Sequence, residues 1–494
     1  MSVSTAIDNS AVARVVGIKT SFKDLRAGRV LYLPQRIAIV GQGSSTATYA
    51  TTKQQVTSAY QAGSLYGFGS PIHLAVMQLF PANGDGVGTI PVTIYPLEDH
   101  ASGVVATGSI TPSGAATGTG SFKIKINNIE SSAFSVANGD TVADITAKIH
   151  TAVASNVNMP MVSTDNSTDV SLTSKWKGAS ANDLHIEIVP TSTDNTGVTF
   201  GMTQPTGGAN NPDVDTALAQ VGNVWETMLL NCMDIADTAT LDKYNVFGEG
   251  RWGVLVRKPL VVFTGNTAST VASAIVISDS RKSDRVNAQL VCPGSKDLPF
   301  VIASRQLAKI AVIANNNPAH DYASQKATGI NAGADSVQWN YVDRDLAVKA
   351  GSSTIEVKDG VVNISDTVTF YHPEGDLTPA YRYVVDIVKL QNIIFNVDLI
   401  FASDSWDGAP LIPDNQPTVN PAAKKPVMAI AALGVLLDDL ALQALISDPE
   451  TAKANTQAVI SSSNAKRLDV ATVVQLSGNT NIISVDLDFG FYFS

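Results

Sequence analysis

The sequence predicts an α/β protein with a mainly parallel sheet core formed by the N- and C-terminal parts of the chain. An inserted β-rich domain and extended terminal arms complete the expected fold. Apolar, strand-like runs (RIAIVGQ, LVVFTG, AQLVCPG) recur at spacings that leave room for crossover helices, the mark of a buried parallel sheet. Ser, Thr, Gly and Asn fill about 44 of residues 101–200 but about 26 of residues 211–310, an excess that turn-rich β structure explains. The last residues alternate apolar and polar almost to the final position.

In chain order, residues 1–20 are small, polar and unpatterned apart from Val12, Val15, Val16 and Ile18, and read as an arm. Residues 21–98 form the first part of the core. They hold a strand over Arg36–Gln42, helices over Thr52–Gly63 and Pro71–Phe80, and a strand over Thr89–Leu97; Pro71 suits a first helical turn. Residues 99–211 are the insertion. Phe122, Ile124 and Ile126, then Val170, Leu172 and Trp176, then Leu184, Ile186 and Ile188 lie on single strand faces. Its one helix carries Val142, Ile145, Ile149 and Val153 on one side, with Asp140 or Thr141 as N-cap. Residues 212–353 make an α/β domain with helices over Asp213–Glu226 and Ile302–Asn315. Residues 354–480, the second core part, bring short strands, a helix over Ala380–Phe401 and two later helices, the last started by Asp448-Pro449-Glu450. Residues 481–494 are the C-terminal arm.

In that arm Ile483, Val485, Leu487, Phe489, Phe491 and Phe493 occupy every second position, a strand of roughly 36 Å. Left bare, such a strand is an aggregation hazard. It either completes the chain's own sheet or adds to the sheet of a neighbouring copy, and an arm at the other end favours the second. Gly17, Gly28 and Gly478 are the hinge candidates, because glycine accepts large dihedral changes.

Charged residues are only 16% of the 494, with a net charge of −11, against about 25% in a typical soluble chain. That sparing use points to surface covered by other subunits. Net acidity and the lack of a basic stripe argue against nucleic acid. The longest apolar run, Val427–Leu437, has 11 residues, too few for a membrane span. The N-terminal residues lack the pattern of a signal peptide, so synthesis in a cytoplasm without general export is expected.

No chemistry emerges from the motifs. Gly41 and Gly43 are half of a dinucleotide fingerprint whose third glycine is Thr46. Ser304, His320 and Asp321 match no triad motif. Asp213/Asp215, Asp343/Asp345, Asp438/Asp439 and Asp486/Asp488 read as solvated faces, and the EF-hand pattern is absent. Cys232 and Cys292 end apolar runs and read as buried thiols, with a disulfide between subunits as the alternative. No catalytic, cofactor or metal site is assigned.

The arm ending in VVGI (Val15–Ile18), PQRIAIVGQGS, QAGSLYGFGSPIHLAVMQLF, TGGANNPDVDTALAQVGN, YRYVVDIVKLQNIIFNVDL and the alternating end occur in that order. In this the chain resembles the contractile tail sheath proteins of phages, in particular the Mu-like branch. The resemblance implies a structural virion subunit, not an enzyme, assembled in the host cytoplasm. It implies a helical homo-oligomer around a tail tube protein, with baseplate and tail terminator proteins as further partners and no cofactor, nucleic acid or membrane insertion. Terminal arms would pair with a neighbour's sheet, and contraction would drive the tube through the host envelope. The readings set against it are an α/β hydrolase with a β-rich accessory domain and another virion structural protein.

Overall fold

The computed structural model describes residues 31–376 and 379–491. The chain divides into two units, one of Tyr32–Phe395 resumed at Gly478, the other of Asn396–Ser477 with Leu31.

The first unit opens with β1 (Ile37–Gln42), β2 (Gln54–Val56), α1 (Ala59–Tyr66), α2 (Pro71–Leu79) and β3 (Val92–Leu97). All residues of β1 and β3 are buried, as unbroken apolar strands require. Serines start both helices. Ser58 Oγ accepts from the Gln61 N–H at 3.2 Å, and Ser70 Oγ from the His73 N–H at 3.3 Å. The helix expected over Thr52–Gly63 is therefore a short strand and then a helix, because Gln54–Val56 pairs antiparallel with β3 and buries Val56. His73 Nδ1 accepts the Gly69 N–H at 3.0 Å. Burial, helped by Lys175, pushes this imidazole down to about 4 and keeps it neutral.

The insertion comprises β4 (Val105–Pro112), β5 (Gly120–Ile126), β6 (Ile129–Glu130), β7 (Phe134–Val136), α3 (Val142–Ala154), β8 (Met161–Asp165), β9 (Val170–Lys177), β10 (Ile186–Pro190) and β11 (Phe200–Thr206). Its strands form one sheet in the order β11-β4-β9-β8 and another in the order β10-β5-β6, with β7 also on β5. The alternation seen in the sequence is realised, with Phe122, Ile124, Ile126, Val170, Leu172 and Trp176 all inward. Thr141 caps α3 in a reciprocal box with Asp144.

The rest of this unit runs α4 (Asp215–Ala219), β12 (Met228–Asn231), α5 (Thr238–Trp252), β13 (Val261–Asn266), α6 (Val271–Ala274), α7 (Val276–Asp279), β14 (Asn287–Val291), α8 (Pro299–Asn316), α9 (Tyr341–Lys349), β15 (Thr354–Lys358), β16 (Val361–Asp366) and the part of α10 (Val384–Phe401) up to Phe395. The helix expected over Asp213–Glu226 shrinks to α4, since Gly222 at φ +57° turns the chain away. The main sheet has the order β14-β13-β12-β1-β3-β2, parallel except for β2. A Cβ at Gly265 of β13 would lie 1.8 Å from the Pro299 carbonyl oxygen, so only glycine lets α8 approach so closely.

One expectation about the core fails. Among the described residues no strand beyond Val291 enters the main sheet, so its strands come from 37–97 and 228–291 and not from the C-terminal part. The later strands pair outside the main sheet, and β16 also accepts the Ala327 N–H on Val362 O at 2.8 Å. Asp359 and Gly360 (φ +52° and +74°) close a tight hairpin of β15 on β16. The outer edge of β14 is covered locally, where the Phe370 N–H donates to Asn287 O at 2.9 Å.

The second unit adds α11 (Pro426–Leu442), β17 (Ile446–Ser447), α12 (Pro449–Ala454), β18 (Gln457–Ile460), β19 (Leu468–Ala471) and β20 (Gln475–Leu476). β18 pairs with β19 and β17 with β20. Asp448 caps α12 from a left-handed conformation, accepting the Thr451 N–H at 3.1 Å. Among the described residues no helix is long and apolar enough to cross a membrane.

Candidate functional site

The strand order fixes where a ligand would bind in such a sheet. The parallel strands reverse their winding between β1 and β12, and open α/β sheets take ligands at the carboxyl ends beside that reversal. Here the insertion occupies the place. Gln42 Nε2, at the end of β1, donates to Asp99 Oδ1 (2.5 Å) and Lys177 O (2.8 Å). The Ser45 N–H donates to Lys175 O at 2.6 Å. Trp176 is fully buried, edge-on to Phe300 at 6.3 Å, with its indole N–H on Ser180 Oγ at 3.0 Å. Asn211 bonds Asp237, the cap of α5, at 2.8 Å.

The opening left at that edge is about 570 Å³ and is lined by Asp213, Asp234, Asp237 and Lys243. Its carboxylates already have donors: Lys243 Nζ lies 2.5 Å from Asp213 and 2.9 Å from Asp215, and Asp234 accepts the Ala236 N–H at 2.9 Å. Burial, then the charge of Asp234, pushes the nearby Asp183 carboxyl up to about 7.

The residues considered for a triad are apart. Ser304 Oγ is buried and donates to Ala75 O at 2.6 Å, while His320 lies past the end of α8, roughly 20 Å along its axis. Among the remaining acids, three have partners in the fold, while Asp486 and Asp488 lie exposed on the terminal segment. Asp343 closes a capping box with Asn340, Asp345 pairs with Lys349 (2.6 Å), and Asp438 pairs with Lys453 (2.8 Å). Among the described residues no cluster of three or more His, Cys, Asp or Glu could hold a metal ion. Cys232 and Cys292 are free and buried. Burial pushes the Cys292 thiol up to about 12, with the charge of Asp297 adding to it.

The terminal segment is the opposite of this closed edge. From Ile482 to Phe491 it belongs to no ladder, and Ile483, Val485, Leu487, Phe489 and Phe491 are 77–84% exposed. Phe493 lies outside the described residues, as do Val12, Val15, Val16, Ile18, Gly17 and Gly28. A Cβ at Gly478 would meet no atom within 4 Å.

In the second unit a groove of about 820 Å³ runs beside the β18–β19 hairpin, lined by Phe401, Trp406, Leu411, Leu433, Leu468 and Val470. Among the described residues each strand of this hairpin pairs only with the other. Sequence reasoning missed the groove, whose walls come from separate stretches with no shared local pattern.

No protein-family profile matches the chain. It is 25% identical over 370 residues to the Mu-like prophage FluMu tail sheath protein of Haemophilus influenzae, covering 73% of this chain and 74% of that one. Among solved structures it aligns with a sheath tail protein from Listeria innocua (TM-score 0.49, 11% identity, 92% of this chain and 94% of that chain). It also aligns with one from Desulfitobacterium hafniense (TM-score 0.46, 11% identity, 94% and 100%). On the sequence match, over about three quarters of its length, this chain is related to the tail sheath proteins of Mu-like prophages.

Proposed function

We propose that this chain is the structural, non-enzymatic subunit of a contractile tail sheath. It polymerises around a tail tube and shortens against a baseplate, so that the tube is driven through the host envelope. The subunit joins its neighbours by lending them its terminal segment as an added strand. Such a role needs no reacting group. It needs a heterologous contact that does not close on itself, so that the assembly grows along an axis.

The observation that carries the reading is the bare apolar face of residues 483–491, whose backbone lies in no ladder. Added to a foreign edge, that backbone gains about 1 kcal/mol per hydrogen bond. Each buried Phe, Leu or Ile contributes roughly 1.5–3 kcal/mol. The unpaired edges of β18 and β19, next to an apolar groove, suit a strand of this kind. The N-terminal arm, through Val12, Val15, Val16 and Ile18, is assigned the same task at another contact. Tube and terminator proteins are the further partners, with assembly in the host cytoplasm and residence in the virion.

Deleting Ile482–Ser494 tests this. The expected product is a folded subunit with an unchanged melting transition that forms no tubes under electron microscopy. Tubes of normal length from the truncated chain would end the strand-lending account.

A further inference from the structure

The chain is pinned on both sides of Gly478. Before it, β20 is held on β17 through Ile446–Leu476 and Ser447–Gln475, and the Ser477 N–H donates to Leu445 O at 3.3 Å. After it, Asn479 is held twice: Lys389 Nζ donates to its Oδ1 at 2.6 Å, and its Nδ2 donates to Ala319 O at 2.8 Å. Lys389 is fully buried and also lies 3.0 Å from Asp386 Oδ1, so its charge is paired inside the protein. Two residues on, Asn481 lines the same cavity as Tyr383. With Thr480 and Ile482 it forms one wall of this space, about 320 Å³, faced by Asp321, Arg344 and Asp366. Beyond Ile482 the described residues are exposed and unpaired.

We infer that Asn479, locked on the buried Lys389 of α10, is the positioning residue that fixes where the terminal segment leaves the body. The lent strand then pivots beyond Asn481, and Gly478 serves instead the passage of the chain from one unit to the other. Residues 384–401 of α10 are themselves divided between the two units at Phe395/Asn396. A pull on the strand from a neighbouring copy is delivered through Asn479 to the first turns of that helix. A bond to a buried ammonium suits the task, because charge-assisted hydrogen bonds are roughly twice as strong as neutral ones. This deepens the assembly reading and rests on it for the origin of the pull, but the lock itself belongs to the free subunit.

The test uses the full chain. With Cys232 and Cys292 buried, spin labels attach selectively at Thr480→Cys, which is exposed and lies before the pivot, and at Asp359→Cys, and their separation is measured by pulsed electron resonance. The parent lock is expected to give a narrow distribution. Asn479→Ala should widen it several-fold, and Asn479→Asp, which keeps an oxygen toward Lys389 but loses the donor to Ala319 O, should widen it less. An unchanged melting transition serves as the folding control. Polymer made by Asn479→Ala in the unlabelled chain should fall at least threefold. A distribution as narrow in Asn479→Ala as in the parent overturns the lock, as does normal polymer made and contracted by that variant. Tubes formed after deletion of Ile482–Ser494 would instead refute the strand-lending reading and leave the label result standing.

Discussion

The carboxyl edge of the main sheet and the terminal segment use hydrogen bonds in opposite ways. At the sheet edge Gln42 and Ser45 are bonded into the insertion, and from the insertion Asn211 reaches Asp237 while Trp176 packs on Phe300, so the place where such sheets take ligands is largely taken up by protein. In the segment five large apolar side chains stand in solvent on a backbone outside any ladder. The sheet edge is thus closed by the chain itself, while the apolar end stays open to the strand exchange proposed above. The contrast is therefore functional as well as thermodynamic, and it can be tested from both sides.

The largest effect is expected at the closed edge. Trp176→Ala empties the centre of the contact between insertion and sheet and should cost about 3–5 kcal/mol in denaturant unfolding. A loss below about 1 kcal/mol would mean that the insertion is only loosely seated. Next is Glu226, buried between the Tyr95 hydroxyl (2.9 Å) and Arg36 Nε (3.3 Å). Glu226→Ala leaves both partners unsatisfied and should cost about 3 kcal/mol.

Asp183 gives a smaller effect with a definite sign. Its folded carboxyl titrates near 7, above its ordinary value, so the stability it contributes is full below about pH 4 and is lost as the pH rises toward 7. Asp183→Asn should remove that slope and stand above the parent by about 1–3 kcal/mol at pH 8. Melting curves at pH 5 and pH 8 decide it. The smallest effect on the subunit belongs to the open end. Phe489→Ser should shift unfolding by less than about 0.5 kcal/mol while reducing polymer yield severely. A large loss of subunit stability would place that ring against its own chain and erase the contrast.

Much of this was legible from the residues. Period-two runs in the insertion and unbroken apolar runs in β1, β13 and β14 each came out as strands, because burial on one face or two leaves that imprint directly. Tertiary pairing was not legible. Gln54–Val56 looks helical until β3 is beside it, and nothing local distinguishes a strand that joins the main sheet from the separate hairpin of β15 and β16. The alternating end was visible at once, since it needs no partner to be read. The Lys389–Asn479 lock was not, because 90 residues separate its two halves and each is an ordinary polar side chain by itself.

The two thiols have a consequence for a particle that passes between chemical worlds. Cys232 sits against Gly41 in the main sheet and Cys292 is likewise out of solvent, each with its acidity suppressed by burial. Neither offers a thiolate to oxidants, glutathione or a neighbouring copy. Neither cysteine would link or unlink copies of this chain on passage from a reducing cell interior to aerated water. No redox signal would then reach a lattice of such copies through these two cysteines.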